Sequence, residues 1–191
     1  MIRRVSLFAV ALVLALCVSA QAGEAKDGVQ AFVDKALAVL RDPAYKAEGA
    51  RDEQRKVLSQ LSDGIFDWVE LSRRTLALNW NKLDVDQRGE FVSLYKQLLE
   101  KTYMDRIQDY KDEQVEFTGE VALSDNQVEV QTQVRAPDKN IPISYRLINR
   151  GGQWRIYDVV VEGVSLVQNY RSQLNNIIAG KSPRDMLDDL R

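Results

Sequence analysis

The chain has 191 residues, 45% of them hydrophobic, with 26 Lys and Arg against 28 Asp and Glu for a formal net charge of −2. That balance argues against nucleic-acid binding driven by electrostatics. With no histidine and a single cysteine, Cys17, the commonest general base, the commonest metal ligand and any disulfide framework are excluded together.

The first predicted element is a leader. Arg3 and Arg4, an apolar run from Val5 to Val18 and the ending Ala20-Gln21-Ala22 have the layout of a secretory signal peptide cleaved after Ala22. Residues 1–22 are therefore expected to be removed, and 23–191 to form one domain. The apolar run is short for a membrane span and no second candidate follows, so no stable membrane insertion is expected. On a lipoprotein reading Cys17 would carry the lipid, but Leu16 stands where such processing wants a small residue. Cleavage takes away two arginines and no acid, which leaves the mature chain mildly acidic and without a thiol.

From Gly23 to about Tyr110 the pattern is helical. Val29, Phe32, Val33, Ala36, Leu37 and Leu40 recur at three and four on one face of a first helix that Pro43 ends. A second helix covers roughly Ala47 to Leu61. Asp67 and Glu70 form a capping pair for a third, with Trp68, Leu71, Thr75 and Leu78 on its inner face. Asp84 and Gln87 open a fourth and longest helix carrying Phe91, Leu94, Tyr95, Leu98, Tyr103 and Ile107.

Alternation with a period of two follows. Val115, Phe117, Val121 and Leu123, then Val128, Val130, Thr132 and Val134, then Ile141, Ile143, Tyr145 and Leu147 read as three strands; Gly151-Gly152 turns the third into a fourth, Gln153 to Val161. The expected sheet is a four-stranded antiparallel meander, polar on one face and packed on helices with the other. Pro142 is expected at an edge or a bulge. In the last strand Trp154 and Ile156 share one face while Val159 and Val161 share the other, which requires a bulge near Asp158 or cover on both faces. An apolar helix begins at Val164 with Val167, Tyr170, Leu174 and Ile178 inward, and Ser182, Pro183 and Asp185 cap a short terminal one.

Little in this chain does chemistry. Ser165 at a helix start has no histidine or paired lysine to activate it, so it reads as a capping residue. Asp158 and Glu162 flank the valine run as the candidates for a carboxyl with a raised pKa, and capping or pairing with Arg155 or Arg171 is the plainer role for each. Arg73-Arg74 and Asp188-Asp189 read as solvated surface, with Arg73 and Arg74 as a candidate docking point for a partner.

The segments Phe66-Asp67-Trp68-Val69-Glu70-Leu71-Ser72-Arg73-Arg74, Trp80 to Phe91 with Gln87-Arg88, Leu98-Leu99 to Thr102-Tyr103, and Trp154 to Val159 through Glu162-Gly163-Val164-Ser165-Leu166 to Asn169-Tyr170-Arg171 together resemble the MlaC family of periplasmic phospholipid-binding proteins. Leu83-Asp84-Val85-Asp86 and Lys111-Asp112-Glu113 depart from the pattern of that family at element ends. The resemblance implies an α+β, cystatin-like roll in which N-terminal helices pack on a curved four-stranded sheet and C-terminal helices follow. It also implies a periplasmic carrier, with phospholipid as cargo and no resident cofactor. The implied partners are an outer-membrane lipoprotein complex and an inner-membrane ABC transporter with its periplasmic lipid-binding subunit, and the implied task is maintenance of outer-membrane lipid asymmetry.

On that fold the tail-lining set is Phe117, Val128, Val130, Ile143, Tyr145, Leu147, Ile156 and Val159 from the strands, with Leu94, Leu98, Tyr103, Val164 and Val167 from the helices. The competing readings are a small isomerase or dehydratase on the same roll, and a periplasmic adaptor with a filled core. No cluster of charges that would read a lipid headgroup is visible, so broad headgroup tolerance is expected.

Overall fold

Six α-helices and five strands make up the described residues of the computed structural model, 23–47, 49–137, 139–178 and 180–191. The leader and Cys17 lie outside them. Helix α1, Glu24–Arg41, buries Ala25, Val29 and Val33 and stops at Asp42, whose carboxylate accepts the Ala44 N–H to start the 3-10 turn Pro43–Lys46. Helix α2 spans Arg51–Asp63, starting later than periodicity suggests because the chain first turns at Gly49, φ 82°. Helix α3, Trp68–Leu76, leads through the 3-10 segment Ala77–Lys82 to α4, Val85–Gln108. Both halves of the Asp84–Gln87 capping box form there.

Leu78 does not face inward as expected: it is 81% exposed. The cause is Ala77, which ends α3 at φ 51°, ψ −122°, a conformation that suits glycine. Ala77→Gly is expected to stabilise the protein by about 1 kcal/mol, the relief of that strain less the entropy glycine adds to the unfolded chain. A urea midpoint at or below that of the parent would contradict this.

Strands β1 (Gln114–Ser124), β2 (Gln127–Arg135), β3 (Asn140–Arg150) and β4 (Gln153–Val161) form the antiparallel meander in sequence order. The expected four strands become five. Glu162 (φ 50°) and Gly163 (φ 81°) fold Val164–Ser165 back onto Val160 and Val161 as β5. Helix α5 therefore runs Leu166–Ile178, starting two residues after Val164, and α6 covers Pro183–Asp188.

The β3–β4 register passes from the pair Arg146–Asp158 to the pair Leu147–Ile156, which leaves Tyr157 unpaired as a bulge. That extra residue resolves the slip seen in the sequence by returning Ile156 and Val159 to one face. Pro142 does not lie at the expected edge or bulge: it pairs with Gln133 inside the sheet, near the start of β3 and past the last β3–β4 pair, Ile143–Val161, where its carbonyl accepts the Glu162 N–H at 2.9 Å.

The sheet is covered on both faces, a correction to the expected single cover. One face wraps α1: Val128, Val130, Leu147 and Ile156 meet Ala25, Val29, Val33 and Ile65 in one apolar cluster. The other face, at its β3–β4 end, lies against α3 and α5 through Tyr157, Asp158 and Arg150. The α2–α3 junction closes the outer edge of β4, with the Ile156 N–H bonded to the Ile65 carbonyl (2.9 Å) and the Asp67 N–H to the Ile156 carbonyl (2.8 Å). A second apolar cluster, built from α3 to α6, holds Leu71, Phe91, Tyr95, Leu99, Val167 and Leu174. In it Tyr95 packs against Phe91 and Tyr170 at ring distances of 5.5 Å. Burial pushes the Tyr95 hydroxyl above its ordinary pKa.

Candidate functional site

The tail-lining residues read from the sequence separate into two places. Those of the strands, Phe117, Val128, Val130, Tyr145, Leu147, Ile156 and Val159, all line the roll around α1. Ile143 shares their face, paired with Thr132 and Val161. Leu94, Leu98, Tyr103 and Val167 belong to the helical cluster on the far side of the sheet. Val164 lines nothing inward: it is 56% exposed, held out on β5 by the Glu162–Gly163 turn. Ile107, also expected inward, is 45% exposed in the last turn of α4.

Within the roll, burial is graded. Val130, Leu147 and Ile156 are fully buried and form a floor. Around them Phe32, Leu37, Phe117, Tyr145 and Val159 are half-buried apolar side chains facing the same interior. Burial lifts the Tyr145 hydroxyl to a pKa of about 12. The Trp154 Nε1 donor is buried beside them with no acceptor among the described residues. Such a group costs free energy until a ligand or water supplies an oxygen. Phe66 touches both apolar clusters and so joins the roll to the helical layer.

A cleft of about 610 Å³ opens on the helical side between α4, α5 and the C-terminal end, lined by Leu98, Tyr103, Tyr170, Leu174, Ile177 and Leu190. Two of the sequence-derived residues thus meet there, at a distance from the roll that the sheet itself enforces.

Asp158 has a structural task. Its carboxylate accepts the Ser165 hydroxyl at 2.6 Å and the Val167 N–H at 3.1 Å, and Arg146 stands at 3.4 Å. Ser165 in turn accepts the Gln168 N–H at 3.1 Å. The two side chains together cap the start of α5. Glu162, the other acid singled out, is exposed and faces Lys139 at 3.8 Å.

One buried group reads in the sequence only as half of a capping pair. Asp67 caps α3 by accepting the Glu70 N–H at 2.8 Å, but the Glu70 carboxylate, 1% exposed, turns toward arginines. It accepts two bonds from Arg73 (2.9 and 2.7 Å), one from Arg74 (2.7 Å) and one from Arg150 (2.7 Å). Burial alone would raise its pKa; the hydrogen bonds and charges of Arg73 and Arg74 outweigh that and bring it to about 2. The guanidinium of Arg74 lies 3.9 Å over the Tyr157 ring, so of the pair read as solvated surface Arg73 is exposed and Arg74 is partly buried.

Residues 30–191 match the model of the family described as MlaC protein. The chain belongs to the MlaC family. Among curated relatives, the intermembrane phospholipid transport system binding protein MlaC of Haemophilus influenzae is 24% identical over 101 residues, 50% of this chain and 47% of that protein. The chain thus spans about half the length of that curated MlaC relative. A solved structure described as the phospholipid-binding protein from Ralstonia solanacearum in complex with a phospholipid shares the fold with a TM-score of 0.76 at 21% identity, covering 87% of this chain and 94% of that one. The α+β architecture expected of an MlaC protein is the architecture found, with one short strand added. Among the described residues no helix is long and apolar enough to cross a membrane.

Proposed function

We propose that this chain is a periplasmic phospholipid carrier and not an enzyme. It would pass lipid between an outer-membrane lipoprotein complex and an inner-membrane ABC transporter with its periplasmic lipid-binding subunit, in the service of outer-membrane lipid asymmetry. Membership of the MlaC family supports the reading, as do relatives whose names state phospholipid transport and binding. The observation that carries it is the graded roll: a fully buried floor of Val130, Leu147 and Ile156 beneath a half-buried apolar rim.

Water opposes unassisted transfer strongly. Exposing both acyl chains costs about 0.8 kcal/mol per methylene, on the order of 20 kcal/mol in total. A carrier removes this barrier by offering an interior about as apolar as a bilayer, so exchange at either end is nearly balanced and the partners set direction. On this reading Phe117, Ile143, Tyr145 and Val159, which share one face of the sheet, would meet the chains, and the Trp154 N–H would find its acceptor in a glycerolipid ester oxygen.

Holding a chamber of several hundred Å³ open without lipid would cost on the order of 10 kcal/mol at about 24 cal/mol per Å³, comparable with the stability of a whole domain. The lipid-free chain must therefore close, and the packed contact of α1 on the sheet floor has that closed character. Lipid would enter by lifting α1 away from Val130 and Leu147.

The test uses the half-buried rim, where a change leaves the floor intact. In native mass spectrometry the parent protein should carry a lipid-sized adduct, and Phe117→Glu should lose it while keeping its far-ultraviolet circular dichroism, because a carboxylate resists burial among methylenes. A bare mass for the folded parent, or an undiminished adduct on the variant, would contradict the proposed seat.

A further inference from the structure

A concavity of about 310 Å³ lies at the C-terminal end of α3, on the opposite side of the sheet from the roll, lined by Arg73, Arg74 and Arg171 with Ala77, Leu78 and Trp80. Every ionisable residue in its lining is an arginine. Each guanidinium is held in place yet keeps donors in reserve. Arg73 spends two N–H groups on Glu70. Arg74 spends one on Glu70, reaches Gln127 at 3.5 Å with another and rests on Tyr157. Arg171 donates twice to the Arg74 carbonyl, at 3.1 and 2.5 Å, which covers the negative end of the α3 dipole. Since a guanidinium has five donors, Arg73 and Arg171 each retain three.

The charges do not cancel. Arg73, Arg74 and Arg150 converge here on two carboxylates, those of Glu70 and Asp67, while Arg171 is held on the Arg74 carbonyl. A chain whose net charge is −2 thus gathers a local excess of two positive charges. Over a screening length of about 8 Å at physiological salt, the patch and not the whole chain decides what approaches.

We propose that this concavity binds a phosphate anion or phosphate ester. Preorganised planar forks with free donors suit a tetrahedral multi-oxygen anion better than a single carboxylate, which Glu70 already provides. Leu78, 81% exposed beside the arginines, adds an apolar contact that fits an amphiphile. The phosphate therefore comes either from a lipid headgroup at a bilayer surface or from solution, and the two sources are separable by experiment.

Inorganic phosphate is titrated into the isotope-labelled purified protein at constant ionic strength while the Nε–H signals of Arg73, Arg74 and Arg171 are followed by NMR. Co-sedimentation is measured in parallel with vesicles of phosphatidylglycerol and phosphatidylcholine and with vesicles of phosphatidylcholine alone. Phosphate should shift the three arginine signals, and Arg73→Gln, half exposed and outside both apolar clusters, should weaken binding about tenfold. If the source is a headgroup, the protein also sediments with the anionic vesicles, and Leu78→Ser lowers that sedimentation without altering phosphate binding. If phosphate shifts the signals and no vesicle is bound, the source is dissolved phosphate or a soluble ester. The proposal is overturned if neither probe perturbs the arginines, if Arg73→Gln and Arg171→Gln leave binding unchanged in folded protein, or if an acidic peptide binds where phosphate does not. Lipid carriage, read as adduct mass on the same samples, stands or falls separately from every one of these results.

Discussion

Glu70→Gln is expected to lower the unfolding free energy by about 3 kcal/mol at neutral pH, and the difference from the parent is expected to vanish as the solution is acidified to pH 2. The size follows from the pKa of about 2 against an ordinary 4.5, at 1.36 kcal/mol per unit. The sign follows from the direction. A carboxyl with a depressed pKa in the folded state adds stability that is fully present above its unfolded pKa and is lost as pH falls from about 4.5 to about 2. Glutamine has no such titration, so its stability curve is flatter across that window. Chemical denaturation at a series of pH values checks both features. Parallel curves for parent and variant would mean that the ionic cluster contributes nothing measurable. The cost at neutral pH arises because three guanidiniums lose their shared buried partner, and breaking one side of a buried pair is worse than never building it.

Asp158→Ala is expected to cost about 4 kcal/mol. Its carboxylate is 2% exposed and serves the Ser165 hydroxyl, the Val167 N–H and Arg146 at once. Truncation strands a backbone donor of α5 and a buried hydroxyl, and leaves Arg146 with Glu129 at 2.9 Å as its remaining ion pair. Ser165→Ala should cost less, about 1–2 kcal/mol, since it removes one cap and leaves Asp158 bonded to Val167. Equilibrium urea unfolding ranks the pair. Equal losses, or a loss for Asp158→Ala below 1 kcal/mol, would show that the start of α5 is held by packing alone.

Local patterns were legible in the sequence because they are local. Alternation gave the four long strands, Asp84 and Gln87 announced α4, and the slip between Ile156 and Val159 pointed to a bulge or to cover on both faces, both of which are found. Periodicity says which residues share a face, however, and is silent on which element covers that face. Leu98 and Val130 therefore read as one lining, although the sheet stands between them. The Glu70 cluster was hidden for a similar reason. Arg73 and Arg74 lie three and four residues away and were open to a helical pairing argument, but Arg150 is 80 residues distant and no local pattern records it. Arg171 reaches Arg74 across 97 residues, which is why the positive concavity could be found in the fold alone. Leu78 was misplaced because a helical period was carried through Ala77, where the backbone breaks it.

Organic extraction of the purified protein, with identification of whatever dissolves, tests lipid carriage most directly. The graded apolar roll predicts that glycerophospholipid is recovered in a fixed molar ratio to protein. Folded protein that yields no lipid on extraction, and takes up none when mixed with phospholipid vesicles, would contradict it.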